Sequence, residues 1–293
     1  MARPIIRRAL HSFVNRDFRE LRRSIFQKSP QSLAPVIHPF DKAHGTDTSG
    51  LIHGENLPTG HRNDRWSTAY YGISPGLFTH LIDALNIDHQ RFTFLDLGSG
   101  KGRALLLASR FPFRRIVGVE LSPQLNAIAA ANIARFRAPW QQCRNLEVHN
   151  GDATTVDYPA GPLVLYLYNP FLAPVLKRCL RNLMRSLTLE PREIHLIYIN
   201  PAPDRILSRY APVLQKQWEQ TFALNEEDIL SDRTGSTQER VGIYRYQPAA
   251  IAEVFSKSLG KLHARAKDRQ QAGVVVGPGV EAGDGVNWQG YAG

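Results

Sequence analysis

From residue 92 to residue 247, short apolar runs of strand length alternate with stretches of helical spacing, and few architectures accept that alternation. "FTFLDLG", "RIVGVEL", "LEVHNGD", "GPLVLYLYNPF" and "EIHLIYINP" read as five strands. "KGRALLLASRF", "SPQLNAIAAANIARF" and "APVLKRCLRNLMRSL" read as the helices between them, with a short helix at "DRILSRYA". The near-continuous apolar character of the strands predicts a parallel sheet covered on both faces. "LQKQWEQTFAL" and "ERVGIYRYQP" supply two more strands across a polar loop at 225–238, which predicts an antiparallel hairpin at one edge. The expected fold is therefore α/β: a doubly wound, seven-stranded, mostly parallel sheet ending in an antiparallel hairpin.

Around that frame the chain divides by composition. Residues 1–28 predict a basic amphipathic helical arm, with apolar Ile6, Leu10, Phe13, Phe18, Leu21 and Phe26 set among arginines. Residues 29–65 are rich in Pro, Gly, Asp, Asn and His and predict a loop or lid. Residues 66–248 form the main domain, opening with "SPGLFTHLIDALNI", where Ser74 suits a helix N-cap and Pro75 the first helical position. A C-terminal helix at 249–269 and a disordered glycine-rich tail at 270–293 complete the expectation. The net charge of +10 is concentrated in the arm, which carries eight basic and two acidic residues. That distribution argues against a body that reads nucleic acid along its length, and leaves the arm as the segment able to touch RNA or another acidic partner. No apolar run approaches the roughly 20 residues of a membrane helix. Two cysteines without a pairing pattern point to a reducing, cytoplasmic setting.

The turn after the first strand carries the chemistry. "DLGSGKG" sets Asp96 directly before Gly98, Ser99, Gly100 and Gly102. In a doubly wound sheet ligands bind beyond the carboxyl ends of the strands, and such a loop suits a dinucleotide, a phosphate or an adenosyl cofactor. The dinucleotide pattern fails because position 103 is Arg, and the phosphate-loop pattern fails because Gly follows Lys101. Asp96 would repel a pyrophosphate and attract a ligand bearing an ammonium group.

On these residues the chain resembles the class I, seven-strand S-adenosylmethionine-dependent methyltransferases, whose first motif is an acid followed by G-x-G-x-G. The resemblance spans about residues 66–247. It implies that the Asp96–Gly102 loop holds S-adenosylmethionine. Glu120, with Leu121, would hold the ribose at the end of strand 2, and Asp152, with Ala153, the adenine edge after strand 3. A thinner likeness, in the upstream "DRWSTAYYGISPG" and the strand-4 end, is to the non-SET protein-lysine methyltransferases.

The strand-4 end, Asn169-Pro170-Phe171, is similar to the [DN]-P-P-[FYW] motif of amino-directed members, with one proline missing. The resemblance implies that Asn169 (itself also beside the cofactor) and Phe171 meet the methyl acceptor, and that Tyr71 closes over it. A second Asn-Pro, after strand 5, lessens the weight of the first, since the dipeptide is also a common turn. His38, His44, His53 and His61 match no metal spacing and predict a solvent-exposed loop; no metal is expected.

The activity implied is methyl transfer to an amine-type acceptor, a protein lysine or a small molecule. The alternatives are an RNA methyltransferase using residues 1–28, a non-catalytic S-adenosylmethionine-binding regulator, and, disfavoured by Arg103, a nicotinamide oxidoreductase.

Overall fold

A computed structural model of the chain describes residues 36–201, 206–211, 213–232, 236–246 and 248. The expected arm of 1–28, C-terminal helix of 249–269 and tail of 270–293 lie outside the described residues.

Seven strands form one sheet in the order β3-β2-β1-β4-β5-β7-β6. They are β1 (Thr93–Leu97), β2 (Arg115–Glu120), β3 (Leu146–Asn150), β4 (Leu163–Tyr168), β5 (Ile194–Ile199), β6 (Gln215–Ala223) and β7 (Gln238–Tyr246). β1 to β5 run parallel, and β7 pairs antiparallel with both β5 and β6. All residues of β1 and β5 are buried, as strands covered on both faces require. The chain order reverses between β1 and β4, which opens a crevice at their carboxyl ends.

The helices follow their sequence signals closely. α2 (Pro75–Asp83) and α4 (Pro123–Arg135) each start Ser-Pro, with the Ser74 and Ser122 hydroxyls accepting from the Leu77 and Leu125 N–H groups and proline in the first turn. α3 (Arg103–Ala108) is wholly buried. α5 (Ala173–Leu189) turns Val175, Leu176, Cys179, Leu180, Leu183 and Leu187 inward at helical spacing. Phe78 of α2 meets Phe94 and Tyr166 edge-on, joining helix to sheet in the core.

Four expectations change. The 36–65 segment is not an open loop: it contains α1 (Pro39–His44) and two 3-10 turns. His38 is buried rather than exposed, because its Nδ1 accepts from the Phe40 N–H and its Nε2 lies 2.8 Å from Asp228 Oδ1. His44, His53 and His61 are half-buried. The polar 225–238 segment holds α6 (Glu226–Asp232), started by Asn225, whose side chain accepts from the Asp228 N–H. Its three first-turn acids, Glu226, Glu227 and Asp228, favour a helix start through the dipole. The expected helix at 204–211 is a 3-10 turn over Leu207–Tyr210. No helix among the described residues is long and apolar enough to cross a membrane.

Candidate functional site

At the crevice lies a cleft that is partly open to solvent. Asp96, Gly98, Ser99 and Gly100 form its floor, Glu120 and Leu121 one flank, and Asp152 and Ala153 the far end. Tyr71 and Phe171 line the opposite wall, joined there by Tyr166 and Tyr168. The structure thus gathers ten of the twelve site residues named from sequence. Gly102 and Asn169 do not line the cleft. Gly102 starts α3 outside it, and a Cβ there would stand 3.2 Å from the Ala129 Cβ of α4.

The loop after β1 is tied down by the end of β2. The Gly98 and Ser99 N–H groups donate to the Val119 carbonyl, and the two Glu120 carboxylate oxygens accept from Gly100 N–H and Ser122 N–H, each at 2.8 Å. Gly98 and Gly100 have positive φ values of 86° and 54°. Close approach is the second reason for glycine, and the partner is the protein itself. A Cβ on Gly98 would fall 2.3 Å from the Pro170 Cβ, and one on Gly100 would fall 2.3 Å from the Tyr70 ring.

Asp96 is 3 % exposed, and its Oδ1 finds no hydrogen-bond partner. Its neighbours in register explain this: Gly118 has no side chain, and the Tyr166 hydroxyl is itself buried and unpartnered. Burial, and then the charge of Glu120, push the Asp96 carboxyl well above its usual range. Burial also raises Glu120, against the hydrogen bonds from Ser122 and Gly100. Ser99 Oγ on the same floor is buried and unpartnered as well. Two buried acids and free polar atoms, with no cation in contact among the described residues, fit a ligand that brings positive charge and hydrogen-bond donors.

At the far end, Asp152 accepts from Thr154 N–H, Thr154 Oγ1 and Asn63 Nδ2. Burial pushes its carboxyl up, but these bonds outweigh it and hold the group below its usual value. Asn63 is in turn gripped by Arg178 of α5.

The opposite wall is built by strand-like contact between 66–70 and the β4 end. Ser67 bridges to Phe171, the Leu172 N–H donates to the Trp66 carbonyl, and Thr68 Oγ1 donates to the Asn169 carbonyl. Asn169 has φ +41°, so it makes the left-handed turn that delivers Pro170 and Phe171 to the cleft. Asn200, before the second proline, turns the same way at the end of β5. The Tyr71 ring meets Tyr168 edge-on at 4.9 Å. Behind them Tyr168 Oη donates to Glu239 Oε1 at 2.6 Å, and Asn200 Nδ2 donates to Glu239 Oε2. Asn63, Tyr168, Asn200 and Glu239 had no motif to mark them; only the repeated Asn-Pro hinted at Asn200.

Residues 94–189 match the family described as "Methyltransferase domain". Among solved structures, the chain is similar to the 23S rRNA methyltransferase ErmE, at 11% identity, covering 60% of this chain and 69% of that one, with a TM-score of 0.44. It is also similar to an RNA methyltransferase from Salinibacter ruber in complex with S-adenosyl-L-homocysteine, at 19% identity, 60% and 94% coverage and a TM-score of 0.39. A third similar structure is the geranyl diphosphate C-methyltransferase from Streptomyces coelicolor A3(2), at 12% identity, 59% and 78% coverage and a TM-score of 0.41. No curated protein sequence matches the chain.

Proposed function

We propose that the chain, whose residues 94–189 match a methyltransferase domain, is a class I, S-adenosylmethionine-dependent methyltransferase that passes the methyl group to an amine nitrogen, on a protein lysine or a small molecule. Bound S-adenosylmethionine supplies an electrophilic methyl group on a positively charged sulfur. Asp96, Gly98, Ser99 and Gly100 hold the charged amino-acid end of the cofactor, Glu120 and Leu121 the ribose, and Asp152 and Ala153 the adenine edge. Glu120 keeps lone pairs for the ribose, since its two oxygens, which accept from Gly100 N–H and Ser122 N–H, have capacity for further donors. Gly102 serves this arrangement from outside by seating α3 on α4.

The observation that carries the amine reading is the aromatic wall. Tyr71, Tyr168 and Phe171 border the cleft beside the β4 end. Such a wall aligns an acceptor and excludes water, which is most of what methyl transfer asks of a protein. The carbonyl of Asn169 is engaged by Thr68, so Asn169 is assigned to shaping the wall. A cytoplasmic setting is proposed with it, because Cys143 and Cys179 are both free and buried.

The test is incubation with cofactor labelled on the methyl group and cell extract, fractionated into protein, metabolites and RNA. Label on amino groups of protein or metabolites supports the reading, and label confined to RNA overturns it.

A second reading, an RNA acceptor, is favoured by α5. Lys177, Arg181 and Arg185 are exposed at i, i+4 and i+8, on the helix whose first turn, at Val175, borders the cleft. Replacing all three with Ala would then lower RNA affinity and reduce its salt slope by about 3. An unchanged slope in a filter-binding titration contradicts this reading.

A further inference from the structure

Glu239 is wholly buried on β7, next to the acceptor wall. Its carboxylate is met by neutral donors, the Tyr168 hydroxyl and the Asn200 amide. The neighbouring Arg240 guanidinium turns away, to Glu219 and to the Pro201 carbonyl. Among the described residues, the other titratable groups on this side are Tyr71, Tyr166 and Tyr168, all neutral phenols. A buried carboxylate without a cation is costly to a fold, and the apolar framework of the sheet does not require one here. It does stand one hydrogen bond behind Tyr168, which lines the cleft.

Resting on the amine reading above, we propose that Tyr168 and Glu239 form a proton-accepting pair for the methylated acceptor. The methylated nitrogen carries an extra N–H and a positive charge. Its proton passes to the Tyr168 oxygen while the Tyr168 hydrogen passes to Glu239 Oε1. An ammonium and a carboxylate become a neutral amine and a neutral carboxyl, and the phenol is regenerated. After product release the proton leaves Glu239 by the reverse route. Tyr168 acts as catalytic residue and Glu239 as positioning residue and proton store. Burial is the main reason the Glu239 carboxyl lies above its usual range, and the Tyr168 and Asn200 hydrogen bonds oppose it. Burial raises the Tyr168 phenol as well, so it relays a proton and does not ionise.

The experiment compares the wild-type chain with Tyr168→Phe and Glu239→Gln. It uses methyl-labelled cofactor and the extract fraction that the wild type labels, together with calorimetric titration of S-adenosylmethionine. The expected result is a fall in kcat of about 100-fold in each variant, the lower end of what a positioned proton acceptor contributes. Cofactor Kd should stay within about twofold, and the double variant should be no slower than the slower single. The fall of the wild-type rate toward low pH should change shape in Glu239→Gln. Rates within about threefold of wild type with an unchanged pH profile overturn the proposal. If Glu239→Gln does not fold, Tyr168→Phe decides by the same criteria. A wild type that binds the cofactor but labels no amine defeats the amine reading and this pair with it. A labelled amine with indifferent variants defeats this pair alone.

Discussion

Asp96 shows how one buried charge trades stability for binding. Its carboxyl is raised by burial and then by Glu120. Between the ordinary Asp range and that raised value, the native state holds more protons than the unfolded state, so stability falls as pH rises through the window. Asp96→Asn should therefore raise Tm at pH 7, by about 2–4 °C for each kcal/mol recovered. That gain should vanish below about pH 4, where the acid is protonated in both states. Thermal melts of the two proteins across this pH range check it. A bound cation favours the ionised acid, so wild-type affinity for the cofactor should weaken as pH falls through the raised value. Gly100 makes the opposite kind of point. Gly100→Ala sets a Cβ at φ +54° against the Tyr70 ring and should cost about 1–3 kcal/mol in a denaturant titration.

At the level of elements, Arg103 holds three pieces of chain together. The first residue of α3, it is 2 % exposed; it donates from Nη1 to Asp232 Oδ2 of α6 at 2.6 Å and from Nε and Nη2 to the Thr48 hydroxyl and carbonyl. Asp41 of α1 accepts from Thr46, Thr48 and Ser49 beside it. Arg103→Met leaves Asp232 buried without its partner and should cost about 3–5 kcal/mol, whereas adding Asp232→Leu should recover much of that. Urea unfolding of the single and double variants checks the coupling. This latch was invisible in the sequence. Arg103 could be read there only as a departure from a dinucleotide pattern, because its partners lie 55 and 129 positions away. The strands and the Ser-Pro helix starts, by contrast, were legible because their causes are local. α6 was missed because Ile229 and Leu230 are too few to show a period. The floor of the cleft was readable from "DLGSGKG", but its aromatic wall depends on tertiary pairing of 66–70 with 169–172. Tyr168 and Glu239 had no signal because they meet only through the sheet, 71 positions apart.

For the whole molecule, the sheet order places every assigned cofactor contact at strand ends on one side of the switch between β1 and β4. A ligand there binds only the folded chain, so S-adenosylmethionine at 100 times its Kd should add about 2.7 kcal/mol of stability. Tm should rise accordingly, and a nicotinamide dinucleotide at the same concentration should leave it unchanged. The most direct measurement is isothermal titration of S-adenosylmethionine into the wild type and into Asp96→Asn at pH 7. Saturable binding at one site per chain is predicted, weakened at least about 10-fold, or 1.4 kcal/mol, in the folded variant. An absence of binding by the wild type, or equal affinity in the two proteins, would contradict the account.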